Sequence, residues 1–151
     1  MSDYKMVEAD YSKLDKNLKI VFLVSEFNRN FTRALEEKNE EFLRGKWFKN
    51  IEKFLVPGAF EIPAFLEKII AKKEPDLIIC FGVVVRWTTT HYEMVAGESA
   101  RGIMNVSLKN PELTIINGIL TCENEKQVEE RITETYALSG LNVLVEELKL
   151  W

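Results

Sequence analysis

A three-layer α/β/α sandwich around a four-stranded parallel sheet is the fold this sequence predicts. Branched apolar runs alternate with amphipathic ones in the order β-α-β-α-β-α-β-α-α, joined by short connections, as right-handed βαβ crossovers require. The run from Leu77 to Val85 is apolar throughout, which suits a strand covered on both faces. With 151 residues and 46% hydrophobic content, one domain with a substantial core accounts for the chain.

Residues 1–17 are polar and mixed and read as an N-terminal arm. It is either disordered or a strand lent to a neighbouring subunit, whose sheet it would extend. The domain proper spans 18–151. Residues 18–24 form the first strand, and 25–30 the loop at its carboxyl end, with Asn30 a candidate N-cap. The helix over 31–46 has apolar residues at Phe31, Ala34, Leu35, Phe42 and Leu43. Its middle, 36–41, is wholly polar and is expected to face solvent or pack thinly.

Residues 50–56 alternate loosely as a second strand, which Pro57-Gly58 ends. Ala59-Phe60-Glu61-Ile62-Pro63 opens the second helix, because proline is tolerated in a first turn where its missing amide had no partner. The third strand is 77–85, and the third helix turns Tyr92, Val95, Ala96, Ser99, Ile103 and Val106 inward. A fourth strand covers 113–120, and 121–124 caps a fourth helix from about 125 with Val128, Ile132 and Thr135 inward. Ser139-Gly140 reads as a helix interruption before a last helix over 141–151.

A net charge of −4 and a pI near 5.2 argue against nucleic acid as the main partner. No apolar run approaches a membrane span, and the first residues lack the apolar core of a secretory signal. A cytoplasmic protein without membrane contact is the expectation. Cys80 and Cys122 lack metal-ligand spacing and read as two reduced thiols.

Ligands of parallel α/β sheets bind where strands turn into helices at their carboxyl ends. The loops at Phe27, at 58–61, at 83–91 and at Thr121 are expected to converge there. The segment from Phe81 to Arg101 is the richest of them, with Arg86, Trp87, Thr88, Thr89, Thr90 and His91 between strand and helix. Fresh helix amides and hydroxyls favour an anion, and His91, the only histidine, is of the side-chain type that moves protons near neutral pH.

These loops resemble the family of 6,7-dimethyl-8-ribityllumazine synthases, from about Leu18 to Gly140. The resemblance rests on Val56-Pro57-Gly58-Ala59-Phe60-Glu61-Ile62-Pro63, on 82–95, on Asn117-Gly118-Ile119-Leu120-Thr121, and on the helix from Gln127 to Arg131. It implies a flavodoxin-like fold and a transferase of riboflavin biosynthesis. That enzyme condenses 5-amino-6-(D-ribitylamino)uracil with 3,4-dihydroxy-2-butanone 4-phosphate, releasing phosphate and water, with no metal and no redox cofactor. It further implies a homopentamer or a shell of pentamers with sites between subunits.

By the same resemblance Phe27 stacks on the pyrimidine with Asn28 beside it. Backbone at Ala59 and Phe60 and the Glu61 carboxylate hold the ribityl chain. Backbone at Val83, Val84 and Val85 reads the pyrimidine edge. Thr89 and the amides around Thr88 hold phosphate, with Arg131 reaching from a neighbouring subunit, and His91 shuttles the proton. Asn117, which stands where many members carry an aromatic residue, is also counted among the substrate-binding residues. Several of these residues also have a purely structural reading: Thr90 with Glu93 fits a capping box, Glu61 suits a first helical turn, and Arg131 fits an exposed charged face.

The chain departs from the family at Trp87, where glycine is usual, at Thr88, and after Arg131, where a Gly/Lys-rich turn is replaced. The alternative to an active enzyme is therefore a non-catalytic relative that assembles and binds lumazine- or flavin-like ligands. A flavodoxin-type electron carrier is disfavoured, because Ser25-Glu26-Phe27-Asn28 has too few small and hydroxyl residues for a phosphate loop.

Overall fold

The computed structural model describes residues 4–151. Four strands, β1 (Ile20–Ser25), β2 (Ile51–Val56), β3 (Leu77–Val85) and β4 (Thr114–Cys122), form one parallel sheet in the order β2-β1-β3-β4. The pleat divides their side chains between two cores. Ile20, Phe22, Val24, Ile79 and Phe81 pack under helices α1 (Arg29–Gly45) and α5 (Thr135–Glu147). Val21, Leu23, Ile78 and Cys80 pack under α2 (Ile62–Lys73) and α3 (His91–Lys109). The expected three-layer flavodoxin-like sandwich is therefore present. No described helix is long and apolar enough to cross a membrane.

The sheet order places the crevice. From β1 the chain crosses to β2 on one side and later to β3 on the other, so connections diverge between β1 and β3. Their carboxyl ends flank the switch point where such sheets bind ligands.

Several local expectations are corrected. Helix α1 starts at Arg29 behind Asn28, whose backbone is left-handed (φ 58°), and not behind Asn30. Its polar middle turn is partly buried: Asn39 is fully covered and Glu36 nearly so. Asn39 donates to the carbonyls of Leu35 and Thr133 and accepts from Ala137 N–H at 2.9 Å, so it caps α5 from another helix. Glu36 pairs with Arg29 and Lys53. Asn39 and Glu36 are thereby satisfied, which is what permits their burial.

The helix break also lies elsewhere. Helix α4 is short (Glu125–Glu130), the chain turns through 131–134, and α5 runs unbroken across Ser139 and Gly140. Gly140 serves close packing instead of termination: a Cβ there would meet both Leu77 Cδ atoms at 3.0 Å. Of the 1–17 arm, residues 1–3 lie outside the described residues. Further along, Tyr11 and Leu14 are buried on the chain's own core. Asn142 fastens this stretch, accepting from Ala9 N–H and Tyr11 O–H and donating to the Val7 carbonyl.

Candidate active site

A cleft of about 550 Å³ opens at the carboxyl ends of β1, β2 and β3. Its first wall is the loop after β1. Glu26 N–H donates to Val56 O and Phe27 N–H to Pro57 O, so the β1–β2 pairing continues past the strands and presents an exposed Phe27 ring. Asn28 turns the chain into α1 and sends its side-chain amide across the switch point to Val83 O at 2.9 Å. Non-glycine residues in left-handed backbone are uncommon, and asparagine is among the types that tolerate it.

The second wall is Gly58, Ala59, Phe60 and Glu61, the last three forming a single 3-10 turn ahead of α2. Glu61 Oε2 accepts from Gly58 N–H at 3.0 Å, so the structural role foreseen for this acid exists. Its other oxygen makes no bond within this turn. Val83, Val84 and Val85 make the floor. Arg86 N–H donates to Cys122 O, on the β4 side. Val85, one residue earlier, therefore points its N–H and C=O the other way, and pairing with β1 has already stopped at Val24–Phe81. That leaves Val85 backbone groups turned toward the cleft.

The third wall is Trp87, His91 and Val95. His91 is the first residue of α3 and is exposed. The expected Thr90–Glu93 capping box is absent. Thr90 makes no side-chain cap; Thr89 Oγ1 instead accepts from His91 N–H at 3.4 Å, and Glu93 turns to Arg86. A carboxylate–guanidinium bond is stronger than one to a neutral amide, which explains the exchange.

Phe27, Asn28, Ala59, Phe60, Glu61, Val83, Val84, Val85 and His91 thus come together. Thr88, Thr89, Asn117 and Arg131 do not line this cleft. Thr88 and Thr89 are exposed in the loop before α3. Asn117 is exposed on β4, paired with Cys80, below the level of Val83, which pairs with Leu120. Arg131 ends α4, donates to Gln127 O, and is exposed. Thr121, expected to converge, also stays outside: β4 lies beyond β3, roughly 4.8 Å further from the crevice.

A model of the 6,7-dimethyl-8-ribityllumazine synthase family matches residues 17–150. A protein of that name from Campylobacter jejuni is 37% identical over 139 residues, covering 91% of this chain and 90% of its own. Its namesake from Campylobacter concisus is 36% identical across 97% of this chain and 96% of its own. Another from Limosilactobacillus reuteri is 36% identical across 77% and 76% respectively. The chain belongs to the 6,7-dimethyl-8-ribityllumazine synthase family.

Of the lining residues, Gly58 and Trp87 lie in loops the sequence expected to converge but were not among its substrate contacts, and Val95 was expected only on the inward face of α3. Gly58 carried a legible signal, since it precedes Ala59, Phe60 and Glu61 in the motif. Trp87 drew notice within the segment between β3 and α3 and as a replacement for the family's usual glycine. Its φ is not positive, because among described non-glycine residues only Asn28, Trp47 and Glu74 have that conformation. The loop therefore has no backbone need for glycine at this position.

Proposed function

We propose that this chain is a 6,7-dimethyl-8-ribityllumazine synthase, condensing the ribitylamino-substituted aminouracil with 3,4-dihydroxy-2-butanone 4-phosphate in riboflavin biosynthesis. The observation that carries this reading is the single cleft that brings Phe27, Glu61, the Val83–Val85 backbone and His91 to the switch point of the sheet. Phe27 offers the pyrimidine an exposed aromatic face. Val85 offers its edge backbone partners; the Val83 carbonyl is already held by Asn28. The ribityl hydroxyls meet Glu61 and the amides of the 3-10 turn.

Across the cleft, the loop at Thr88 and Thr89 and the first amides of α3 suit the phosphate. His91 lies between the two halves, so a proton taken from the condensing amine can be returned to a departing group. An imine forms with loss of water, phosphate leaves, and the ring closes with loss of a second water. The residues supply positioning and proton transfer, which suffice for this chemistry.

Assembly follows from the same reading. Met94, Gly97, Arg101, Met104 and Leu108 recur alternately three and four apart along the outer face of α3. Met94, Met104 and Leu108 are well exposed, and a Cβ on Gly97 would meet nothing. Such a spacing is the seam by which helices of separate copies pack. Arg131 and Asn117, exposed and off their own cleft, are then available to a neighbour's cleft. A homopentamer or a shell of pentamers in the cytoplasm is the state we assign.

The test is a rate assay with both substrates, following the lumazine chromophore against a protein-free blank and a His91→Ala variant. A protein-dependent rate that falls with the histidine supports the synthase and its proton transfer. A rate indifferent to His91 keeps the synthase and leaves catalysis to positioning. No rate above the blank overturns the proposal.

A further inference from the structure

Arg86 leaves β3 where the chain enters the loop to α3, and its guanidinium is gripped from two directions. Nε donates to both carboxylate oxygens of Glu123, at 3.0 and 2.8 Å, and Nη1 donates to Glu93. Its Cζ stands 4.3 Å from the centre of the Tyr92 ring. Tyr92 and Glu93 follow His91 directly in the first turn of α3. Glu123 is itself fixed, since its N–H donates to Gln127 Oε1 at 2.8 Å while Asn124 caps α4 by accepting from Gln127 N–H.

One side chain thus ties together the end of β3, the end of β4 and the start of α3. Exposed ion pairs are weak sources of stability, so holding the fold together does not account for this arrangement. Its location does: both ends of the short span 87–91, with the phosphate-side loop and His91, are anchored on Arg86. Arg86 holds the Glu93 carboxyl below the usual carboxylate range by its hydrogen bond.

We propose that Arg86 is a positioning residue, which sets the loop 87–90 and His91 against the opposite wall of the cleft. This rests on the lumazine synthase reading and adds to it a residue that touches neither substrate. Its carboxylate partners occupy Nε and Nη1, so its charge is already met within the chain, as a brace requires.

The test combines kinetics with a readout that needs no activity. His91 is the only histidine, so histidine-selective isotope labelling gives one imidazole signal set. In Arg86→Gln that signal shifts and broadens, and kcat falls on the order of 10- to 100-fold, the usual effect of a misplaced catalytic group. The KM for the pyrimidine, bound on the far wall, stays put. Glu93→Gln moves the signal and kcat in the same direction, and Arg86→Lys restores part of both.

An Arg86→Gln protein with the parent's histidine signal and kcat overturns the proposal. So does a Glu93→Gln protein that binds butanone phosphate more tightly, which would make Arg86 an anion ligand freed from a competitor. Equal loss on the pyrimidine side would mean general loosening and would also overturn it. If the parent itself lacks synthase activity, the histidine signal still decides the brace, and only the functional reading falls.

Discussion

Phe27 rests so closely on Gly58 that a Cβ at position 58 would lie 3.2 Å from Phe27 Cδ2 and 3.2 Å from Glu61 Oε2. One loop's backbone seats the aromatic ring of another, and the carboxylate that bonds Gly58 N–H closes the same contact. Gly58→Ala must move the ring or the carboxylate. Overpacking of this kind costs roughly 1–3 kcal/mol, and because both groups are exposed they yield before the core does. The expected outcome is a pyrimidine KM raised on the order of tenfold, a factor worth about 1.4 kcal/mol, with the urea midpoint little changed. Steady-state kinetics and urea unfolding read the two effects separately. An unchanged KM would remove this seat from substrate binding.

The α3 stripe makes a second prediction. Met104 and Leu108 are exposed in the single chain, so Met104→Glu with Leu108→Glu leaves the protomer folded while placing charge in the proposed seam between copies. Sedimentation velocity should show the assembled species giving way to a smaller one, with circular dichroism unchanged. A variant that keeps the parent's mass would take this face of α3 out of the interface.

The sheet was legible because its strands are apolar enough to identify without partners: β3 matches its expected bounds, and β1, β2 and β4 differ by one or two residues. What failed was information carried by distant contacts. Asn39 looked like solvated helix surface, yet it is buried because Thr133 and Ala137, far along the chain, complete its hydrogen bonds. Gly140 looked like a breaker, yet it is the gap into which Leu77 fits. At the site, the alternation of strands and loops located the Phe27, Gly58–Glu61 and His91 walls, because each lies in the connection that leaves a strand's carboxyl end. Arg131 and Asn117 sit on β4 or beyond it, where only sheet order, invisible to local pattern, decides which edge they face. Arg86 was visible but unassigned, since its partners Glu93 and Glu123 lie on two different elements.

Alkaline pH should weaken the fold through Tyr136. Its ring packs edge-on against Phe81, and its hydroxyl donates to Arg131 O at 3.1 Å. Burial, aided by Cys122, pushes its pKa from 10.0 up to about 12, against the opposing pull of Arg131. The folded state thus keeps a proton that the unfolded chain releases from about pH 10. Stability from this group is full below pH 10 and is lost as pH rises toward 12. Tyr136→Phe loses the hydrogen bond, about 0.5–1.5 kcal/mol at neutral pH, but it also loses this titration. The gap between parent and variant urea midpoints should therefore narrow from pH 8 to pH 11. A constant gap would mean that Tyr136 titrates alike in both states.

Trp87 is the departure whose outcome bears most directly on activity. Its indole lines the cleft beside His91 while remaining 81% exposed. A large apolar ring left in water next to a cleft gains by covering a ligand, through apolar area and stacking. Its backbone conformation needs no glycine, so Trp87→Gly adds only freedom to the loop that presents Thr88, Thr89 and His91. Both effects point one way. The variant should show a several-fold higher KM for butanone phosphate and a lower kcat, and ligand binding should quench tryptophan fluorescence less than in the parent. Isothermal titration with inorganic phosphate separates the alternative: a Trp87→Gly protein that binds phosphate more tightly than the parent would mean that the indole screens the loop amides. The position would then limit the reaction in the parent instead of serving it.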